Sequence, residues 1–187
     1  MTPYQKLKSE TTEAMKHSIG HTEKELHSIR TGRAQTSLVE DLMVDAYDTK
    51  TLMKQLGTIS TPDPRSIVIQ PWDKSIIGDI EKTILKSDIG ITPTNDGKII
   101  RLAIPPLTEE RRAELSKFAH KICEDGKVSL RNVRREAIEK LKKLEDSSDI
   151  TEDDLFDGKE EFQKLTNEYS KKIDDLQKAK EKELTGH

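Results

Sequence analysis

The chain has 187 residues, of which 32% are hydrophobic and 36% charged, with a formal net charge of -3. Charge so far above the usual quarter of residues excludes a thick enzyme-like core and points to long solvated helices. The lone cysteine, Cys123, excludes an intrachain disulfide. The opening Met1-Thr2-Pro3-Tyr4-Gln5-Lys6 has no basic-then-apolar leader, and no window approaches the run of roughly 20 apolar residues that a membrane span needs, so a cytoplasmic chain is expected.

From Tyr4 to Arg30, Tyr4, Thr11, Met15, Ile19, Thr22, Leu26 and Ile29 recur at helical spacing, interrupted only by Gly20, which predicts a first helix. The pattern changes at Thr31-Gly32-Arg33, where Gly32 permits backbone angles other residues resist. Between Asp41 and Ile104 the chain is rich in Ile, Val and Thr. Runs at Leu42 to Tyr47, Thr58 to Thr61, Ser66 to Ile69 and Lys98 to Ala103 read as strands, with turns at Tyr47-Asp48-Thr49, Pro62-Asp63-Pro64 and Asn95-Asp96-Gly97. Asp73 precedes a helical run with Ile76, Ile80 and Ile84 on one face, so this stretch predicts a small β/α/β domain.

Pro105-Pro106 ends the last strand, and Thr108 before Glu109-Glu110 reads as the cap of a second long helix. Its stripe of Leu115, Ala119, Ile122, Val133, Ala137, Leu141 and Leu144 runs to about Glu145, a rod of roughly 55 Å at 1.5 Å per residue. Asp146-Ser147-Ser148-Asp149 breaks the pattern, and Thr151 caps a third helix carrying Leu155, Phe162, Leu165, Tyr169, Leu176 and Ala179.

Three long helices with sparse apolar stripes must pack on one another to be stable. The expected architecture is therefore α+β: a discontinuous antiparallel three-helix bundle from residues 1–30 and 106–187, with a β/α/β domain at 31–105 inserted into it. The two crossings, Arg30, Thr31, Gly32 and Arg33 on one side and Ile104, Pro105 and Pro106 on the other, are read as a paired hinge, with freedom from Gly and limited slack from Pro. One apolar stripe per helix suits a monomer whose bundle closes within the chain; an adaptor docking other helices would need a second seam.

With Val133 as the core-facing reference, Lys127, Arg134, Arg131, Lys142 and Arg135 fall at about 120, 100, 160, 180 and 200° around the second helix, which predicts a basic stripe opposite the core. A solvated charged face is the commoner meaning of such a pattern. No acid stands among Arg131, Arg134 and Arg135, however, while the acids gather between Asp146 and Glu161, so Lys127, Arg131, Arg134 and Arg135 are the candidate nucleic-acid contacts, guanidinium groups being matched to phosphate.

His17 and His21 stand four apart without a third ligand, and His120 and Glu124 share that weakness, so no metal is assigned. The glycines form no phosphate-cradling loop and no nucleophile motif occurs; neither catalysis nor a cofactor is expected. Trp72, alone at a strand-to-helix junction, is read as packing rather than as a stacking platform for a base.

Three ordered motifs, Ile29-Arg30-Thr31-Gly32-Arg33-Ala34, Pro105-Pro106-Leu107-Thr108-Glu109-Glu110-Arg111-Arg112 and Leu130-Arg131-Asn132-Val133-Arg134-Arg135, resemble the ribosome recycling factor family, and the likeness runs through nearly the whole chain. Val68 to Ser75, Ser87 to Ile91 and Gln163-Lys164-Leu165-Thr166 add to it. The chain departs from the family at Gln35-Thr36, where Ser-Pro is frequent, and at Glu136 and Ile138, where Asp and Asn are frequent. The resemblance implies an L-shaped molecule of roughly transfer-RNA outline. It further implies a factor that hydrolyses nothing itself and acts with elongation factor G and GTP on the post-termination ribosome, splitting the subunits and freeing messenger and transfer RNA. In that picture Arg131 and Arg134, with Arg135 and Lys127, lie on large-subunit ribosomal RNA while the smaller domain swings about the hinge.

Overall fold

The structure, a computed structural model, describes residues 2–185. Contacts between backbones divide the chain into two compact units: one built from the segments that run up to Thr31 and onward from Glu109, and a second formed by Gly32–Thr108.

In the first unit, α1 spans Pro3–His27, α3 Glu109–Asp146 and α4 Glu152–Thr185. Helix α1 opens on a capping box in which Thr2 accepts from the Gln5 amide and Gln5 returns the bond, with Pro3 in the first turn, where its missing N–H costs nothing. It ends three residues short of the expected Arg30, because the Ser28 amide and hydroxyl turn back on the Glu25 carbonyl. Gly20 does not interrupt it; nothing lies near where its Cβ would be.

Helix α3 runs 38 residues, about 57 Å at 1.5 Å per residue, with Glu109 and Glu110 favourably placed on the N-terminal dipole. The α3–α4 turn holds Ser148 at φ +62°, and α4 is capped by Thr151, whose Oγ1 accepts from the Asp154 amide at 3.1 Å while Asp154 accepts in return.

Side chains fix how these helices run. Ser18 meets Ser129 across α1 and α3 at 2.9 Å, Arg134 meets Gln163 across α3 and α4, and the Tyr4 hydroxyl donates to Glu161 across α1 and α4. Helix α3 is therefore antiparallel to both others, and α1 and α4 are parallel. The stripes are thin: alongside Leu26, Leu130, Leu141, Phe162 and Ile173 the interior admits Thr11, Thr22 and Thr166. Each of these threonines quiets its hydroxyl by donating to the carbonyl four residues back. At Gly126 a Cβ would strike Thr22 and Ile173, and at Gly158 it would strike Leu141 and Tyr4, so both glycines mark close helix approach.

The second unit has six strands, β1 Met43–Ala46, β2 Thr49–Leu52, β3 Gly57–Asp63, β4 Ser66–Pro71, β5 Pro93–Asn95 and β6 Ile100–Ala103, with helix α2 at Ile77–Lys86. Strands β1 and β2 form a hairpin; the rest form an antiparallel sheet of order β3-β4-β6-β5. Period-two alternation sends Ile67, Ile69, Ile100 and Leu102 inward, where they meet Ile80 and Ile84 of α2 and Val44, Ala46 and Met53 in one aliphatic core. Strands β2 and β5 were not expected. Strand β2 buries little and its Thr-Lys-Thr-Leu has no apolar alternation, while Pro93 opens β5 on a sheet edge, the place where proline is tolerated.

Candidate functional site

Eight buried residues of α3, Leu115, Ala119, Ile122, Cys123, Gly126, Leu130, Ala137 and Leu141, define its inward direction. That direction lies about 40° from Val133, which is only half-buried and sits toward α1. Measured from the true centre, Arg131, Lys142 and Arg135 point about 120, 140 and 160° away, but Lys127 and Arg134 lie only about 80 and 60° away. The expected stripe opposite the core is thus two rows. Arg131, Arg135 and Lys142 face outward, and Lys127 and Arg134 flank the seam with α4. The difference arises because Cys123 and Leu130, left out of the expected stripe, pull the buried face toward α4, and because Val133 stands at its edge.

The two flanking cations meet different partners. Lys127 Nζ lies 2.6 Å from Asp174 and 3.3 Å from Glu124, with its side chain only 21% exposed. The bond to Asp174 raises the ammonium pKa above its ordinary value, burial opposes that, and Glu124 adds to the rise. Lys127 is a compensated charge. Arg134 donates from Nη1 to Gln163 Oε1, and Gln163 Nε2 donates to Asn167 Oδ1 at 2.9 Å. No carboxylate lies within 4.0 Å of Arg131, Arg134 or Arg135 among the described residues, so three uncompensated guanidinium groups occupy just over one turn of α3.

Gln163, Asn167 and Asp174 were missed by the sequence reading. The available signal was the turn at 147–151: residues at equal distance from it on α3 and α4 face each other, which places Arg134 beside Gln163.

At the crossings, Gly32 adopts φ +72°, a conformation that L side chains resist, and a Cβ there would press Leu107 Cγ at 3.0 Å. Ile104, read as part of the crossing, packs in the second unit's core, its amide donating to the Arg65 carbonyl at 2.7 Å. The Thr31 hydroxyl is buried without a hydrogen-bond partner among the described residues.

Trp72 does not pack as expected. Its backbone amide donates to the Leu56 carbonyl, and the side chain is left 71% exposed. Tyr47, 62% exposed at the β1–β2 turn, donates its hydroxyl to the neighbouring Asp73. Burial pushes the Cys123 thiol up to about 11, so it stays protonated near neutrality. No helix among the described residues is long and apolar enough to cross a membrane.

Comparison with known proteins adds a consistent set of likenesses. Residues 22–185 match the family described as ribosome recycling factor. The chain is 51% identical over 177 residues to the ribosome-recycling factor of Synechocystis sp., covering 95% of this chain and 97% of that one. It is 52% identical over 176 residues to that of Bacillus subtilis, covering 94% and 95%. Among solved structures, the solution structure of a ribosome recycling factor aligns over the whole of both chains with a TM-score of 0.76 at 42% identity. A T. thermophilus ribosome recycling factor, described with E. coli elongation factor G bound to the E. coli post-termination complex, aligns over 98% of this chain and 99% of that one with a TM-score of 0.64 at 41% identity.

Proposed function

The chain belongs to the ribosome recycling factor family, and on that premise we propose that it binds the post-termination ribosome and, with elongation factor G and GTP, promotes separation of the subunits and release of messenger and transfer RNA. The observation that carries the RNA-binding surface is the set Arg131, Arg134 and Arg135: three guanidinium groups on one long helix with no carboxylate within 4.0 Å among the described residues. Such groups bind phosphate through paired N–H donors, and their spacing on a helix holds register on a folded RNA backbone. Lys127 supports them less directly, since its charge is already met by Asp174 and Glu124.

The chain supplies grip and leverage and no bond-breaking step of its own; the GTP is hydrolysed by its partner. Helices 38 and 34 residues long, packed side by side, supply the lever. The joint comprises Arg30 to Arg33 together with the segment through Pro105 and Pro106, where a glycine at positive φ supplies rotation and prolines limit slack. Acting on ribosomes places the protein in the cytoplasm, and a bundle closed within one chain works as a monomer.

The test is Arg134→Ala in a sucrose-gradient splitting assay with post-termination ribosomes, elongation factor G and GTP. Loss of a charge-assisted phosphate contact weakens ribosome binding roughly ten- to a hundredfold and reduces the slope of log affinity against log salt by about one. Splitting falls in parallel. Full splitting with an unchanged salt slope overturns the assignment of the RNA-binding surface.

A further inference from the structure

Arg134 and Lys127 stand on the same flank of α3, and both reach across to α4, yet α4 offers an acid to one and an amide to the other. The acid cancels the charge it holds. The amide cannot. Gln163 accepts one N–H of the Arg134 guanidinium at Oε1 while its Nε2 is committed to Asn167 Oδ1 at 2.9 Å, and that second bond fixes which end of the amide faces the arginine. Reversed, the amide would set N–H against N–H. One of the five guanidinium donors is thereby spent on orientation and four remain in a fixed planar fork.

We infer that Gln163, backed by Asn167, is a positioning residue that orders Arg134 for RNA while leaving its positive charge intact. The inference rests on the reading of Arg131, Arg134 and Arg135 as the RNA-binding surface. Its physical content is preorganisation: an arginine side chain loses much rotamer freedom on docking, and a partner that imposes the order beforehand removes that loss from the binding step. A carboxylate at position 163 would impose the same order but turn Arg134 into a second Lys127. The immediate surroundings agree, since the residues three and four positions from Arg134 on α3 are Leu130, Arg131, Ala137 and Ile138, none of them acidic. Gln163 and Asn167 are exposed, so exchanging them leaves the buried stripes untouched.

The experiment measures binding of the full-length protein to purified large ribosomal subunits over a range of KCl concentrations, with circular dichroism to verify the fold of each variant. Gln163→Ala keeps every charge and loses only the positioning, so affinity falls roughly three- to tenfold with the salt slope unchanged. Gln163→Glu, nearly isosteric, falls at least about tenfold and loses about one unit of slope, because Arg134 is now neutralised. In an Arg134→Ala background neither change has a further effect beyond about twofold, the signature of residues acting as one unit. Equal losses in both backgrounds, or wild-type affinity for Gln163→Ala, overturn the inference while leaving the RNA-binding surface standing if Arg134→Ala alone weakens binding. An Arg134→Ala protein that binds as wild type removes the RNA-binding surface and the positioning role together.

Discussion

The inserted unit and the helical unit bury apolar surface in opposite ways. Gly32–Thr108 gathers Val, Ile, Leu and Met, mainly from β1, β4, β6 and α2, into one aliphatic core, where those three strands bury alternate residues. The helical unit spreads its burial along rods, a residue or two per turn, and fills the places of closest approach with Gly126, Gly158 and hydrogen-bonded threonines. A compact core gives a stiff body of small size. A rod buries little per residue but leaves most of its circumference free for charge, and that freedom lets three arginines stand uncompensated on α3.

The contrast breaks most sharply at Phe162, fully buried with Leu7, Ala137 and Leu141 near one end of the bundle. Truncation of so large a fully buried side chain leaves a cavity that its neighbours close only in part. Phe162→Ala is expected to destabilise the helical unit by about 3–5 kcal/mol, read by differential scanning calorimetry as a fall in its transition, with the inserted unit's transition in place. A single shared transition that moves as one would show that the two units do not melt separately.

Next in size is Gly57→Ala at the start of β3. The new methyl would meet Pro71 Cα at 2.7 Å and the Gln70 carbonyl closer still, and backbone cannot yield as a side-chain tip does. A loss of about 1–3 kcal/mol confined to the inserted unit is expected, with faster amide exchange along β3 and β4. Unchanged exchange there would mean that the strands separate at no cost, contrary to a tightly registered sheet.

The smallest effect sharpens the comparison at low pH. In the helical unit, Glu161 receives Lys8 and Tyr4 from α1, and these two hydrogen bonds, the lysine's first, hold its pKa below the ordinary value of 4.5. A depressed carboxylate contributes stability that is present above 4.5 and lost as pH falls through the lower folded value. Glu161→Gln is therefore expected to flatten the acid limb of the helical unit's stability below about pH 4.5, followed by thermal melts at stepped pH. An identical acid limb in the variant would mean that α1 and α4 are not coupled through this cluster.

Much of this was legible from local pattern. The three long helices follow from stripes at helical spacing, the start of α4 from Thr151 as its cap, and the β1–β2 turn from Tyr47 and Asp48, both at positive φ. Strands β2 and β5 escaped because an exposed hairpin arm and a three-residue edge strand carry no alternation to detect. Trp72 was misjudged because its exposure depends on where β4 stops and the chain turns, which a lone aromatic in a sequence does not reveal.

The sequence by itself determined that α3 is a rod with Arg131, Arg134 and Arg135 clustered on it, since helical phase is a property of one segment and its own spacing. Only the tertiary structure decided that Lys127 is neutralised while Arg134 is oriented and left charged. That outcome depends on the axial register between α3 and α4, which brings Asp174 to one cation and Gln163 to the other. Ion pairing between helices is a matter of a few ångströms across a seam, and no single helix contains the information about what its neighbour places there.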